Sequence, residues 1–198
     1  MKKCTEKEEL KNLIVQTRRK EKIKKEHVNV KWIIEIVIMA FTISFALSFV
    51  SQTTIPKLST WIGVVITLIF IGLGIIFDIV GVAVNSADEK VFHSMNARKV
   101  KGSKVAVIFK KNADKVSSFC NDVIGDICGI ISGAAGTTIA VNIAKSLNVE
   151  LLFVNLTVAA IIAALTIGGK AMGKSFAMNK SDIILYEFAK IVSIFYKG

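Results

Sequence analysis

Four apolar runs, residues 32–50, 61–84, 116–143 and 151–169, limit what this chain can become. A helix needs about 20 mainly apolar residues to cross roughly 30 Å of hydrocarbon, and each run is close to that length or above it. The charge between the runs is equally ordered. The chain carries a formal net charge of +11 and is 53% hydrophobic, with a mean hydropathy of +0.57. So large a positive charge suits nucleic acid. Here, however, the lysines lie in blocks between the apolar runs, which is how membrane proteins distribute charge. The expected partner is the lipid bilayer, and no nucleic acid.

The class expected is an all-α integral membrane protein. It has four transmembrane helices, a basic amphipathic inner-surface loop over 90–115, and a C-terminal juxtamembrane amphipathic helix over 181–196. Residues 1–31 form a basic cytoplasmic segment and residues 32–198 the transmembrane domain. The first run follows a highly charged segment and lacks a small-residue cleavage site, so it is expected to be a retained span. Residues 1–31 hold eleven basic side chains against five acidic, and residues 88–115 hold eight against three. The linker 51–60 has only Lys57, and 144–150 has only Lys145 and Glu150. Both termini are therefore expected in the cytoplasm, in a multi-pass protein of the plasma (inner) membrane. Gly168, Gly169 and Gly173 predict a helix break at the inner boundary.

The third run holds the residues that most need explaining. Asp122 and Asp126 are four apart and share a helical face. Gly125, Gly129 and Gly133, also four apart, predict a flat stripe on which another helix packs closely. In the second run Asp78 and Asn85 share a face, and Ser86 follows. Carboxylates in hydrocarbon need protein, water or a cation beside them. The candidate metal ligands are thus Asp122, Asp126, Ser86, Asp78 and Asn85. These are hard oxygen donors. The runs contain no histidine, and Cys120 and Cys128, about 12 Å apart along one helix, have neither disulfide nor metal-ligand spacing. The set suits Mg²⁺, Na⁺ or a proton better than zinc or copper. The alternative is structural: each aspartate caps a break or bonds backbone and water. No Gly-rich phosphate loop and no Ser/His/Asp set is present, so the chain is not expected to be an enzyme. Acids from Asn85 to Glu89 leave action on lipid headgroups as a lesser alternative.

The order of motifs adds a resemblance. A span leaves through Ser86-Ala87-Asp88-Glu89, a basic loop with a central glycine follows, and the next span opens with Ile124-Gly125-Asp126. The last span ends in Gly168-Gly169-Lys170-Ala171-Met172-Gly173-Lys174-Ser175, before an amphipathic helix. Over residues 71–196 this resembles the transmembrane domain of the CNNM/CorB/CorC family of magnesium transporters. That family shows a Ser-x-x-Glu exit, a Gly-Asn-Asn motif and a closing Gly-Glu-x-x-Pro-Lys motif. The resemblance implies a magnesium site lined by polar side chains where the motifs meet, and a homodimer. Ser86 matches the serine of the first motif, and Asp126 the first asparagine of the second. Gly169 stands at or next to the place of the family's glutamate, and Gly173-Lys174 replaces Pro-Lys. The glutamate is missing, and Asp122 and Asp126 are expected to supply its charge. The first span is an addition, and regulation through the family's nucleotide-sensing CBS domains is not expected of these residues. The function expected is binding and transport of a divalent, Mg²⁺-like cation, with Na⁺ a candidate coupling ion. The rival is a non-transporting interaction or structural module that retains the transporter fold.

Overall fold

A computed structural model describes residues 30–195; the expected cytoplasmic segment 1–31 lies almost wholly outside them. The chain falls into two units, 1–38 and 39–198, and every contact discussed below lies within the second. The described residues are helical, with no strand among them. The helices are α1 (Val30–Thr54), α2 (Thr60–Ser86), α3 (Glu89–Ala97), α4 (Ser103–Lys111), α5 (Ala113–Ser118), α6 (Asp126–Leu147), α7 (Leu151–Asn179) and α8 (Ser181–Phe195). A short 3-10 turn, Ile55–Lys57, follows α1, and a π-helical turn, Phe119–Gly125, joins α5 to α6. Four segments are long and apolar enough to cross a membrane: Val30–Lys57, Thr60–Ser86, Ala113–Leu147 and Leu151–Asn179. The protein is an all-α membrane protein.

The spans pack through small residues. The buried face of α2 is Gly63, Thr67, Ile71, Gly74, Val80, Gly81 and Ala83–Val84. That of α6 is Cys128, Ser132, Ala135–Gly136 and Ile139–Ala140, with Ile127 and Ile131. No hydrophobic force separates a helix from lipid, so spans associate where small side chains let backbones approach and disperse against each other. A Cβ on Gly74 would stand 3.1 Å from the Cβ of Cys128. Large apolar side chains point the other way: Trp61, Ile69, Ile130, Phe153 and Ile167 are all more than half exposed, as lipid-facing residues are.

Two expectations about these spans change. The glycines at 168, 169 and 173 do not break α7, which runs on to Asn179. Gly169 and Gly173 instead lie against Ile75 and Ile79 of α2. Their lack of a side chain serves close approach, and the packing offsets a helix-propensity cost of about 1 kcal/mol each. The glycine stripe of the third span also divides. Gly125 is buried against α2, whereas a Cβ on Gly129 or Gly133 would meet nothing within 4 Å. The face that packs is Cys128–Ser132–Gly136. A repeat of four advances about 40° on each step of an α-helix with 3.6 residues per turn, so a stripe drawn from Gly125 turns away from its neighbour by Gly133.

At one end of the bundle α3, α4 and α8 close over α2. Their core holds Val80, Val84, Ala87, Phe92, Val105, Ala106, Val107, Cys120, Leu185 and Ala189. The apolar faces of α3 and α4 are thus buried in protein. Polar contacts hold the corner: the Asp88 carboxylate accepts from the Lys90 amide and caps α3. The Asp88 amide donates to Asp182 Oδ1 in the first turn of α8 at 2.9 Å. Lys110 Nζ donates to the carbonyls of Val84 (3.1 Å) and Asn85 (2.9 Å), placing a cation on the negative end of α2. Gly102 divides the basic loop as expected. Its φ of +84° is left-handed, and a Cβ there would lie 2.9 Å from the Lys190 backbone, so only glycine fits.

Candidate cation site

Asp78 sits about two-thirds of the way along α2 (Thr60–Ser86) on the face turned toward α6 and α7, its side chain 18% exposed. Asp126 opens α6 immediately after the π turn. Lys170, on α7, reaches both: its Nζ lies 3.5 Å from Asp78 Oδ1 and 3.7 Å from Asp126 Oδ1. Two contacts of that length to one atom keep the two carboxylate oxygens within about 7 Å of each other. Three spans therefore meet at one charged group. Close backbone approach makes this possible. Gly169, beside the lysine, lies on Ile75 and draws α7 onto α2. Gly125 packs beside the lysine head: a Cβ there would stand 3.6 Å from Nζ and 3.8 Å from the Gly74 carbonyl, both ordinary contact distances.

Asp126 also faces a second space. Its side chain is 67% exposed and lines a cavity of about 460 Å³ with Asp122. The opposite wall comes from α1, through Ala40, Phe41, Ser44, Phe45 and Ser48, and the floor from Ile127 and Ile130. Asp122 and Asp126 thus share a face, as their spacing predicts. Among the described residues, no three His, Cys, Asp or Glu side chains group closely enough to hold a metal ion. The acids fall into two pairs: Asp78 with Asp126 on either side of Lys170, and Asp126 with Asp122 on one wall of the cavity.

Asn85 and Ser86 stand apart from these acids, about 10 to 12 Å further along α2 at 1.5 Å per residue. Asn85 Nδ2 donates to Ser117 Oγ at 2.8 Å, and Asn121 Nδ2 donates to the same oxygen at 3.4 Å. The Asn121 carboxamide lies against Gly81, where a Cβ would collide with it. Its Oδ1 is buried without a hydrogen-bond partner. Ser86 is exposed at the end of α2. Lys174, one turn beyond Lys170, is also exposed. Gly169 contributes packing only.

Lys170 is the residue that sequence reasoning overlooked. A signal for it exists. If Gly173-Lys174 stands for the Pro-Lys of the closing family motif, the glutamate position falls three residues earlier, on Lys170 and not on Gly169. On that alignment lysine stands for glutamate at 170, which inverts a charge, and aspartate for asparagine at 126, which adds a negative one. The two side chains are in contact. No family model, characterised protein or solved structure matches this chain.

Proposed function

We propose that this protein binds a cation between α2, α6 and α7 and carries it across the plasma membrane. The observation that carries the reading is the meeting of Asp78 and Asp126 around one positive charge where three spans pack together. Two carboxylates from different helices, both in contact with one ammonium, are costly in hydrocarbon and are kept where they bind or conduct an ion. The Asp122 carboxylate and the serines of α1 extend the polar surface from that pair. A divalent, Mg²⁺-like ion fits the donors, which are hard oxygens, and fits the charge of a carboxylate pair. The resemblance in motif order implies the same cargo. Both termini and the end closed by α3, α4 and α8 face the cytoplasm, in keeping with the lysine blocks. A homodimer belongs to the same reading.

One observation favours the rival reading of a non-transporting membrane module. Lys170 already neutralises part of the pair, so the carboxylates have a partner without any added ion. Melting in detergent separates the two. A ligand at 100 times its Kd that binds only the folded state adds about 2.7 kcal/mol of stability. For a domain of this size that raises Tm by about 5 °C or more. Mg²⁺ is expected to produce this rise in the wild type and not in Asp126→Asn. Equal melting of the two proteins at every Mg²⁺ concentration would leave the module reading in its place. Transport is then read with an internal Mg²⁺ dye in proteoliposomes under an imposed Na⁺ or potential gradient.

A further inference from the structure

We propose that Lys170 is a tethered competitor of the transported cation: its ammonium and the cargo occupy the Asp78–Asp126 carboxylates in turn. The inference rests on the cation-site reading and adds to it a resident charge that loading must expel.

Geometry makes the two occupants mutually exclusive. Mg²⁺ holds its oxygens at about 2.0 to 2.1 Å, so carboxylates within about 7 Å of each other must close on the ion. The ammonium lies within that space. Charge gives the same answer. With Lys170 in place the trio carries a net charge of −1. A divalent ion in its stead balances the two carboxylates, and both cations together leave an excess positive charge in hydrocarbon.

The lysine is also held in a way that permits exchange. Contacts of 3.5 and 3.7 Å exceed the roughly 2.7 to 2.9 Å of a charge-assisted hydrogen bond. Charge, and no fixed hydrogen-bond geometry, keeps the head there. A lysine is a point charge on a flexible four-carbon stem, unlike the rigid fork of arginine. Its side chain is 26% exposed, so the head is not sealed in. A carrier built this way never leaves two bare carboxylates in the membrane: after the cargo departs, the ammonium returns.

The test titrates Tm with Mg²⁺ in the full chain. Removing the competitor in Lys170→Gln is expected to lower the half-point of the Mg²⁺-induced rise at least tenfold. Lys170→Arg, with a cation of fixed fork geometry, is expected to raise it. A second readout needs no variant. In the wild type, Mg²⁺ is expected to speed modification of Lys170 by a membrane-permeant amine reagent several-fold, read by site-resolved mass spectrometry. The inference is overturned, with the cation site intact, if Mg²⁺ stabilises the wild type but Lys170 reactivity and the Lys170→Gln half-point stay unchanged. If Mg²⁺ alters neither the melting of wild type nor that of Lys170→Gln, site and competitor fall together.

Discussion

Asp78 and Asp126 contact the same ammonium, yet they differ in what their removal does. Asp78 is 18% exposed and Asp126 67%, so Asp78 is the main shield for Lys170 within the bundle. Breaking a buried ion pair by deleting one partner costs about 3 to 5 kcal/mol, and partial exposure lowers that figure. Asp78→Ala is expected to cost about 2 kcal/mol and Asp126→Ala about 1 kcal/mol or less, read as loss of Tm in detergent without divalent ions. The double variant Asp78→Ala/Lys170→Met is expected to melt above Asp78→Ala alone, because it removes the orphaned charge as well as its partner. If the double variant loses the sum of the two single effects, the contact carries no coupling. At this scale the acids of the site were legible in the sequence and its lysine was not. A carboxylate inside an apolar run has few innocent explanations, and Asp78, Asp122 and Asp126 stand out for that reason. Lys170 does not, because a lysine near the end of a run ordinarily extends its head to the interface. Only the third dimension shows that this one turns inward.

At the scale of the helix, the drift of a four-residue repeat decides which glycines matter. Spacing alone joins Gly125, Gly129 and Gly133 into one stripe, but each step of four advances about 40° on a regular α-helix, so Gly133 lies about 80° from Gly125. The π turn Phe119–Gly125 ends where the stripe begins; Asn121 lies against Gly81 of α2, Asp122 lines the cavity, and the residues that pack beyond it are Cys128, Ser132 and Gly136. No pattern of residue types marks the π turn in advance, and which edge of a drifting stripe meets a neighbour is fixed only by packing. The difference is measurable. Gly129 and Gly133 face open space, so Gly129→Ala and Gly133→Ala are expected to stabilise by about 0.5 to 1 kcal/mol each through helix propensity. Gly74→Ala places its Cβ 3.1 Å from that of Cys128 and is expected to lower Tm despite the same propensity gain. A lower Tm for Gly133→Ala, or a higher one for Gly74→Ala, would return the packing face to the original stripe.

For the molecule as a whole, the four spans and the division of charge between their ends were the most legible features, since length and hydropathy fix them before any contact is known. What the sequence left open was how the basic loop folds. Its short apolar pieces read equally well as lipid-facing or protein-facing, and the structure buries Val105, Ala106 and Val107 against α8 and α2. The closed end therefore carries a dense shell of lysines over a protein core, while the opposite end has two short linkers with Lys57 and Lys145. The proposed orientation follows from that asymmetry, because lysine-rich segments resist translocation. It predicts opposite labelling of the two ends. Single cysteines at Lys57 and Lys145 are expected to react with a membrane-impermeant maleimide in intact cells or spheroplasts, and cysteines at Lys104 and Lys180 only after permeabilisation. The native thiols at Cys120 and Cys128 are buried and are expected to give little background, and Cys4 is replaced by serine. Labelling of Lys104→Cys in intact cells would reverse the proposed topology.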